Sequence, residues 1–450
     1  MLHHKRFSAS TVSEFTIRMR DTLRRLIARS PRLDEKLRHL YVWFLFWRRR
    51  IPGFTSWVHA ATRLETPWEW CGLPVQSGEL FFGYYDKTPW TPQEDRMIFH
   101  FRKRQSLPDV EILLFDRKQR ECRRIGRSSA WNFQQGSMAQ WLHALNDDSV
   151  IYNDVVNRTL AARIVDIHGK ELAIIPYPVQ TLHPSGTRAI SLNYRRLWKH
   201  RQPYGYRQPV VNFSPDQPLD RDGLWRVDFQ SGRGELIVSL AQLMAISPQR
   251  HMNPNRTKVN HAMYSPSGKR CAFLHRWFQG ADKYHRIYCM NEDGSELRLI
   301  LETRFVSHYS WRDEDTLLVY GTPASGAAGY FELNVVTGSW RSFADKSLNQ
   351  FSDGHPSYSQ DRKQIVTDTY PNTRFQQSLI IYNCKTDSAV VAGKFLHPWQ
   401  YFRTNRCDLH PRWSPSGRFI SFDSVYSGTR GSYILDVSNL ASDPTSSSAR

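Results

Sequence analysis

Four histidines recur at one offset in the C-terminal half of this sequence. His261, His308, His355 and His410 each stand four residues ahead of the serine position of a repeated turn. Imidazoles brought to one depth around an axis make a transition-metal site, because neutral imidazole suits manganese, iron, cobalt and zinc. The alternative is inheritance, with each histidine kept in its repeat as a hydrogen-bonded contact. Asp353 and Asp408 precede His355 and His410 by two residues. Strand alternation puts each carboxylate on the side of its imidazole, as a ligand or as the group that orients it. For Asp353, which precedes Gly354, capping a turn is an equal reading. Lys258 and Asn260 flank His261, and Asp86, Lys87, Gln134 and Gln135 lie at the same depth of earlier repeats.

The elements that must position these residues are read from the repeat. An aromatic followed by Ser-Pro-Ser-Gly or a relative begins at Tyr264, Trp311, Tyr358 and Trp413, at spacings of 47, 47 and 55 residues. Each turn is followed by two apolar, strand-like segments, such as Cys271–Leu274 and then Arg286–Cys289. Repeats of this length with four strands each are blades of a β-propeller. Weaker copies at Trp90, Trp141 and His183 raise the count to seven. The strand entering each turn is the innermost, which sends the four histidines to the central channel. Residues 195–222 form a basic, aromatic, proline-rich insertion of the kind that projects from one face. The last repeat lacks an outer strand, and residues 68–75 (WEWCGLPV) are expected to supply it and close the ring.

Ahead of the repeats, residues 11–29 and then Leu33, Leu37, Leu40, Tyr41, Phe44 and Trp47 show helical spacing, the second run ending in Arg48-Arg49-Arg50. The expected fold is thus an all-β, seven-bladed propeller with two N-terminal α-helices. It divides into a basic helical segment over 1–66, the propeller over 67–440 and a disordered tail over 441–450. The apolar stripe of the second helix either lies in an anionic membrane interface, through residues 11–50, or packs on the propeller or on a second subunit.

The net charge is +19, and residues 1–50 carry 13 Lys and Arg against 4 Asp and Glu. Concentrated in helices without a reader motif, that charge argues against nucleic-acid binding. Six scattered cysteines without a CxxC pair argue against a zinc module and a disulfide framework, so reduced, buried thiols are expected. The sequence has neither a signal-peptide core nor an apolar run long enough to span a bilayer, which reads as cytoplasmic, with a peripheral place at the inner membrane if the helices dock there.

The YSPSG and WSPSG turns resemble the propeller repeat of the Tol-Pal translocation protein. Within that group, one histidine per inner strand and the form His410-Pro-Arg-Trp-Ser-Pro-Ser-Gly417 resemble the oligogalacturonate lyases, seven-bladed enzymes that cleave galacturonate oligomers by β-elimination. The resemblance implies a divalent metal, typically manganese, on three histidines and a glutamine, two of the histidines following the glutamine in Q-x-x-H-x-H. Here the run is Gln350-x-x-Asp353-x-His355, with Asp in place of the middle histidine. Carried over, it makes Gln350, Asp353 and His355 ligands with His261, and His410 a further one; the shared offset and strand alternation add His308 and Asp408 to the candidate ligands.

The function expected is therefore a metal-dependent lyase acting on an acidic oligo- or polysaccharide. His261, Lys258 and Arg412 are the candidate catalytic groups. Arg195, Arg196, Arg406, Asp86, Lys87 and Gln135 are the candidate substrate contacts, the arginines as bidentate forks for carboxylates. The other class is a non-catalytic propeller that scaffolds or binds glycan during polysaccharide assembly.

Overall fold

The computed structural model describes residues 31–49, 54–72, 77–104, 108–143, 149–323, 326–344 and 347–440. Seven antiparallel sheets follow one another along the chain, each wound from an inner strand outwards. The fourth blade is the most regular, with strands Thr257–Tyr264, Arg270–Gln279, Asp282–Asn291 and Arg298–Thr303. Its second strand is buried along nearly its whole length, as expected of a strand covered by blades on both faces. The Ser-Pro-Ser-Gly turns work through their glycines. Gly268 has φ +82° and Gly417 φ +74°, a region that costs an L-residue a backbone clash. A Cβ on Gly268 would also meet the His183 ring of the third blade at 2.3 Å, so this turn doubles as a contact between blades.

The ring closes, but by a different segment from the one expected. The outer strand of the seventh blade is Arg63–Glu65, paired with Gly431–Asp436, and Trp57–Val58 adds a fifth strand to the sixth blade. Chain from before residue 67 therefore belongs to the ring. Within 68–75, Pro67–Trp70 is a single helical turn with proline in its first turn, where its missing N–H costs nothing. Trp68 wedges between the last and first blades, edge-on to Phe101 and against Gly431. Trp90 stacked on Phe419, and the backbone bond from Leu80 N to Arg430 O, complete that junction. Two of the six cysteines depart from the expectation of reduced, buried thiols, while Cys271, Cys289 and Cys407 meet it and Cys384 is free and half-buried. Cys71 and Cys122 form a disulfide, Cα atoms 5.2 Å apart, that ties the entry segment to the outer strand of the first blade, Glu121–Ser128.

The second N-terminal helix is Pro31–Arg49. The helix read over 11–29 and the tail 441–450 lie outside the described residues. The insertion in the third blade folds onto the ring as a short helix, Tyr194–His200, whose N-cap Asn193 accepts from the backbone of Arg195 and Arg196. No helix among the described residues is long and apolar enough to cross a membrane.

Candidate metal site

The histidines sit where inner strands depart from regular pairing. His261 lies at a register shift between Asn260 and Met263 with φ +63°, and His410 has φ +44°. His308 adjoins a shift beginning at Val306. A bulge re-aims the side chain, and a left-handed non-glycine residue persists only where its surroundings hold it. The result is one arc of four buried rings, with centroids 5.7 Å apart from His261 to His308, 4.1 Å from His308 to His355, and 4.3 Å from His355 to His410. The same offset in the other blades gives Lys87, Met138 and Val179, so three of the seven positions carry no imidazole.

Tyr84 and Tyr85 fill the middle of this arc. The Tyr84 ring lies 4.9 Å from His261 and 5.1 Å from His410, and Tyr85 lies 5.3 Å from His355. They belong to an excursion between the inner strand Gly78–Phe81 and the Trp90 bridge of the first blade. Every anchor of that excursion is buried. Asp423 accepts from the backbone N–H of Phe82 and Gly83, while Arg412 donates to Asp423 at 2.8 Å and to the Gly83 carbonyl at 3.2 Å. Ser137 N donates to His100 Nε2, so His100 Nδ1 carries the proton that goes to the Phe82 carbonyl at 2.8 Å. The Tyr85 hydroxyl donates to the Tyr309 carbonyl at 2.7 Å. Arg412, expected to be catalytic, thus positions the tyrosine pair.

His355, Asp408 and His410 offer ligand atoms that all lie within 4.8 Å of one another. Asp368 organises them from the neighbouring strand. Its carboxylate accepts from the backbone N–H of His355 and of His410, at 2.8 and 3.1 Å, and takes the Nδ1 proton of His355 at 2.8 Å. That bond leaves Nε2 of His355 with its lone pair, and neither this nitrogen nor Nε2 of His410 has a protein partner. Burial raises the Asp408 carboxyl, but the two hydrogen bonds from Arg406, at 2.7 and 2.6 Å, outweigh it and hold the group well below the usual carboxylate range. Burial, and then His355, push His308 down to about 4. Its Nδ1 faces the Gly354 carbonyl at 3.0 Å and Asp353 at 3.4 Å. Both nitrogens of His261 are buried without a partner, and burial holds that ring well below the usual histidine range. Two imidazoles with open nitrogens and an ionised carboxylate fit a divalent transition metal.

Gln350 does not reach this cluster. It is exposed and donates to the Ser347 carbonyl at 2.7 Å. Asp353 accepts from Ser307 Oγ at 2.6 Å and faces His308, where it orients an imidazole. The same spacing recurs one blade later as Asn405-x-x-Asp408-x-His410, and that copy supplies two of the three donors, Asp408 and His410, while the earlier copy supplies His355.

Beside His261 the channel wall is cationic. Lys258 Nζ is buried without a hydrogen-bond partner, 4.2 Å from the Phe278 ring centre. Burial first, then Arg201 and Arg276, push this amine well below its ordinary range. Arg276 donates only to the carbonyls of Val306 and Ser307, and Arg201 lies over Tyr204, which meets Tyr84 edge-on. None of the three forms a salt bridge among the described residues. Arg195 and Arg196 are used by the insertion itself, Arg195 on the carbonyls of Tyr206 and Arg207, Arg196 on Asp222 and the Gln217 carbonyl. Lys87 and Asp86 pair at 2.5 Å in the interior. Gln135 is buried with Oε1 unpartnered, and Gln134 donates to the Arg406 carbonyl.

A cleft of about 720 Å³ adjoins this mouth, walled by Trp131, Phe133, Trp198 and Tyr401 with Arg102 and Arg104. Its lining residues Gln202 and Asn405 lead directly to Tyr204 and Arg406 of the site.

The sequence did not point to Tyr84, Tyr85, Asp368, Arg201 or Arg276. The tyrosines lay in the run FFGYYDKTPW, whose Asp86 and Lys87 were singled out instead.

No protein-family model matches this chain, and no curated protein does. Among solved structures, an oligogalacturonate lyase in complex with manganese aligns with a TM-score of 0.61 at 16% identity, covering 86% of this chain and 96% of that one. An oligogalacturonate lyase from Vibrio parahaemolyticus aligns with a TM-score of 0.60, also at 16% identity, over 85% and 96%. The chain is therefore a seven-bladed β-propeller that resembles the oligogalacturonate lyases in fold.

Proposed function

We propose that the protein is a metal-dependent lyase that cleaves a uronate-containing glycan by β-elimination. The observation that carries this reading is the pairing, in one channel, of a His355–Asp408–His410 donor set with two buried cations, Lys258 and Arg276, that have no carboxylate of their own among the described residues. A buried, uncompensated cation is costly, and an anionic ligand removes that cost. His355, Asp408 and His410 would hold the metal, with His308 beside them. A divalent ion there supplies Lewis-acid neutralisation of the sugar carboxylate, which acidifies the neighbouring C–H.

The chain's own residues account for the rest. Lys258, Arg276 and Arg201 bind carboxylate, and the aromatic walls of the cleft stack sugar rings. His261, with both nitrogens uncommitted, takes the proton from C5. The C–H electron pair becomes the C4–C5 double bond, the C4–O bond breaks, and the departing oxygen takes a proton from Tyr84 or water. Asp368, Asp423 and Arg412 hold these groups in place.

The test is to supply manganese-loaded protein with galacturonate and other uronate oligomers and follow the ultraviolet absorbance of the unsaturated product. Product that is lost in His261→Ala supports the reading. Absence of product from every uronate, together with protein that retains no metal, overturns it in favour of a scaffold.

A further inference from the structure

The helix Pro31–Arg49 is apolar on the side that faces away from the propeller. Its inner side is accounted for, since Phe46 is buried against Phe375 with ring centres 5.1 Å apart, and His39 lies edge-on to Phe402. On the outer side stand Leu40, Trp43, Phe44 and Trp47, at helical spacing i, i+3, i+4, i+7, with Tyr41 beside them. These five are 67%, 44%, 51%, 49% and 54% exposed in the order named. Nowhere else among the described residues do large exposed apolar side chains gather so densely along one element. A contiguous patch of this kind marks an interaction surface.

We infer that this face docks on an anionic lipid bilayer, with the helix lying in the plane of the interface. Three observations select that occupant. The patch is rich in tryptophan and tyrosine, whose amphipathic rings settle at headgroup depth. Exposed Arg48 and Arg49 follow it directly, and the first fifty residues carry 13 basic against 4 acidic side chains, a charge complementary to anionic headgroups. The helix is not apolar enough to cross the bilayer, which leaves it on the surface.

The docking has a consequence for the site. The loop that carries Phe375 also carries Tyr370, which lies 5.5 Å from His355, and the loop that carries Phe402 also carries Arg406. The bilayer-facing helix therefore rests on the loops that wall the channel mouth. Combined with the proposed reaction, this makes a glycan held at a membrane surface the natural substrate. The docking itself stands without that reaction.

The experiment is co-sedimentation of the full chain with vesicles of phosphatidylcholine alone and of phosphatidylcholine with phosphatidylserine, at low and high salt. Wild-type protein is expected to sediment with the anionic vesicles at low salt. The triple variant Leu40→Glu, Trp43→Glu, Phe44→Glu is expected to lose about tenfold or more of that binding, with unchanged thermal unfolding. Failure of the wild type to sediment overturns the inference, as does equal sedimentation of the variant. A wild-type dimer by light scattering that the variant converts to monomer also overturns it, and assigns the face to a second copy of the chain. Metal content and lyase assays on the same samples report separately on the proposed reaction.

Discussion

The first and sixth blades each bury a histidine near the axis, and they treat it in opposite ways. His100 in the first blade has both nitrogens engaged, one accepting from Ser137 and one donating to the Phe82 carbonyl. His355 in the sixth has one nitrogen fixed by Asp368 and the other turned, unpartnered, toward His410 and Asp408. Both are almost fully buried, at 0% and 1% exposure, so burial does not separate them. What separates the two is that the second nitrogen of His355 is unpartnered and stands among further donor groups, Asp408 and His410, whereas that of His100 is taken by Ser137.

The largest expected effect is a double dissociation along that line. His355→Ala or His410→Ala should abolish stoichiometric metal, read by elemental analysis of protein purified without a metal column, with little change in the denaturation midpoint. His100→Ala should retain the metal and lose about 3 kcal/mol of stability, because it opens a cavity and strands the Phe82 carbonyl. If His355→Ala unfolds while His100→Ala is silent, the comparison is broken.

One step smaller is the loss of the group that distinguishes the two histidines. Asp368→Asn keeps shape but weakens the hold on the His355 proton and on two backbone N–H groups. Metal affinity should fall roughly 10- to 100-fold, as for other partners that orient ligating histidines. A competitive chelator titration reads this. Unchanged affinity would mean that His355 is aligned by packing alone.

How much of this was legible in the sequence follows from the same contrast. The repeat was readable because each blade restates one aromatic and one tight turn, and the four histidines because they share an offset from it. The closing strand was missed because three residues, Arg63–Glu65, carry no periodicity, while the aromatic stretch after Pro67 looks more like a strand than the helical turn it forms. Gln350 was drawn in by the resemblance to the Q-x-x-H-x-H run, but x-x-Asp-x-His occurs in two successive blades, and the donors are His355 from the first copy with Asp408 and His410 from the second. Tyr84 and Tyr85 lie in an irregular excursion that no period announces. Asp368 acts on His355 from an adjacent strand, a contact that sequence order does not display.

Acid should probe the satisfied histidines next. His100 and His397 are pushed down to about 4 by burial, against 6.5 when exposed. Between those values the unfolded chain binds more protons than the folded one, so stability rises with pH there. The contribution is complete above about pH 6.5 and is lost as pH falls through 4, on the order of 3 kcal/mol for each group. Urea midpoints of metal-free protein at several pH values should decline over this window. His100→Gln should shallow the decline, and an unchanged slope would remove His100 from the account.

The smallest expected effect has the least intuitive sign. Lys258 is buried against Phe278 with no carboxylate and no hydrogen-bond partner, and Arg201 and Arg276 stand near it. In the free protein this amine is a cost, carried as local strain of the kind found at binding sites. Lys258→Met keeps the length and the contact with the aromatic ring while removing the charge. It should therefore raise the urea midpoint slightly, by about 1 kcal/mol in stability, and at the same time weaken the binding of galacturonate oligomers measured by calorimetry. His100→Ala has the opposite sign in both readouts, losing stability and sparing the ligand. Should Lys258→Met instead destabilise the protein with oligomer binding intact, the lysine would be a packed member of the wall, and the cationic side of the channel would lose its claim on an anionic sugar.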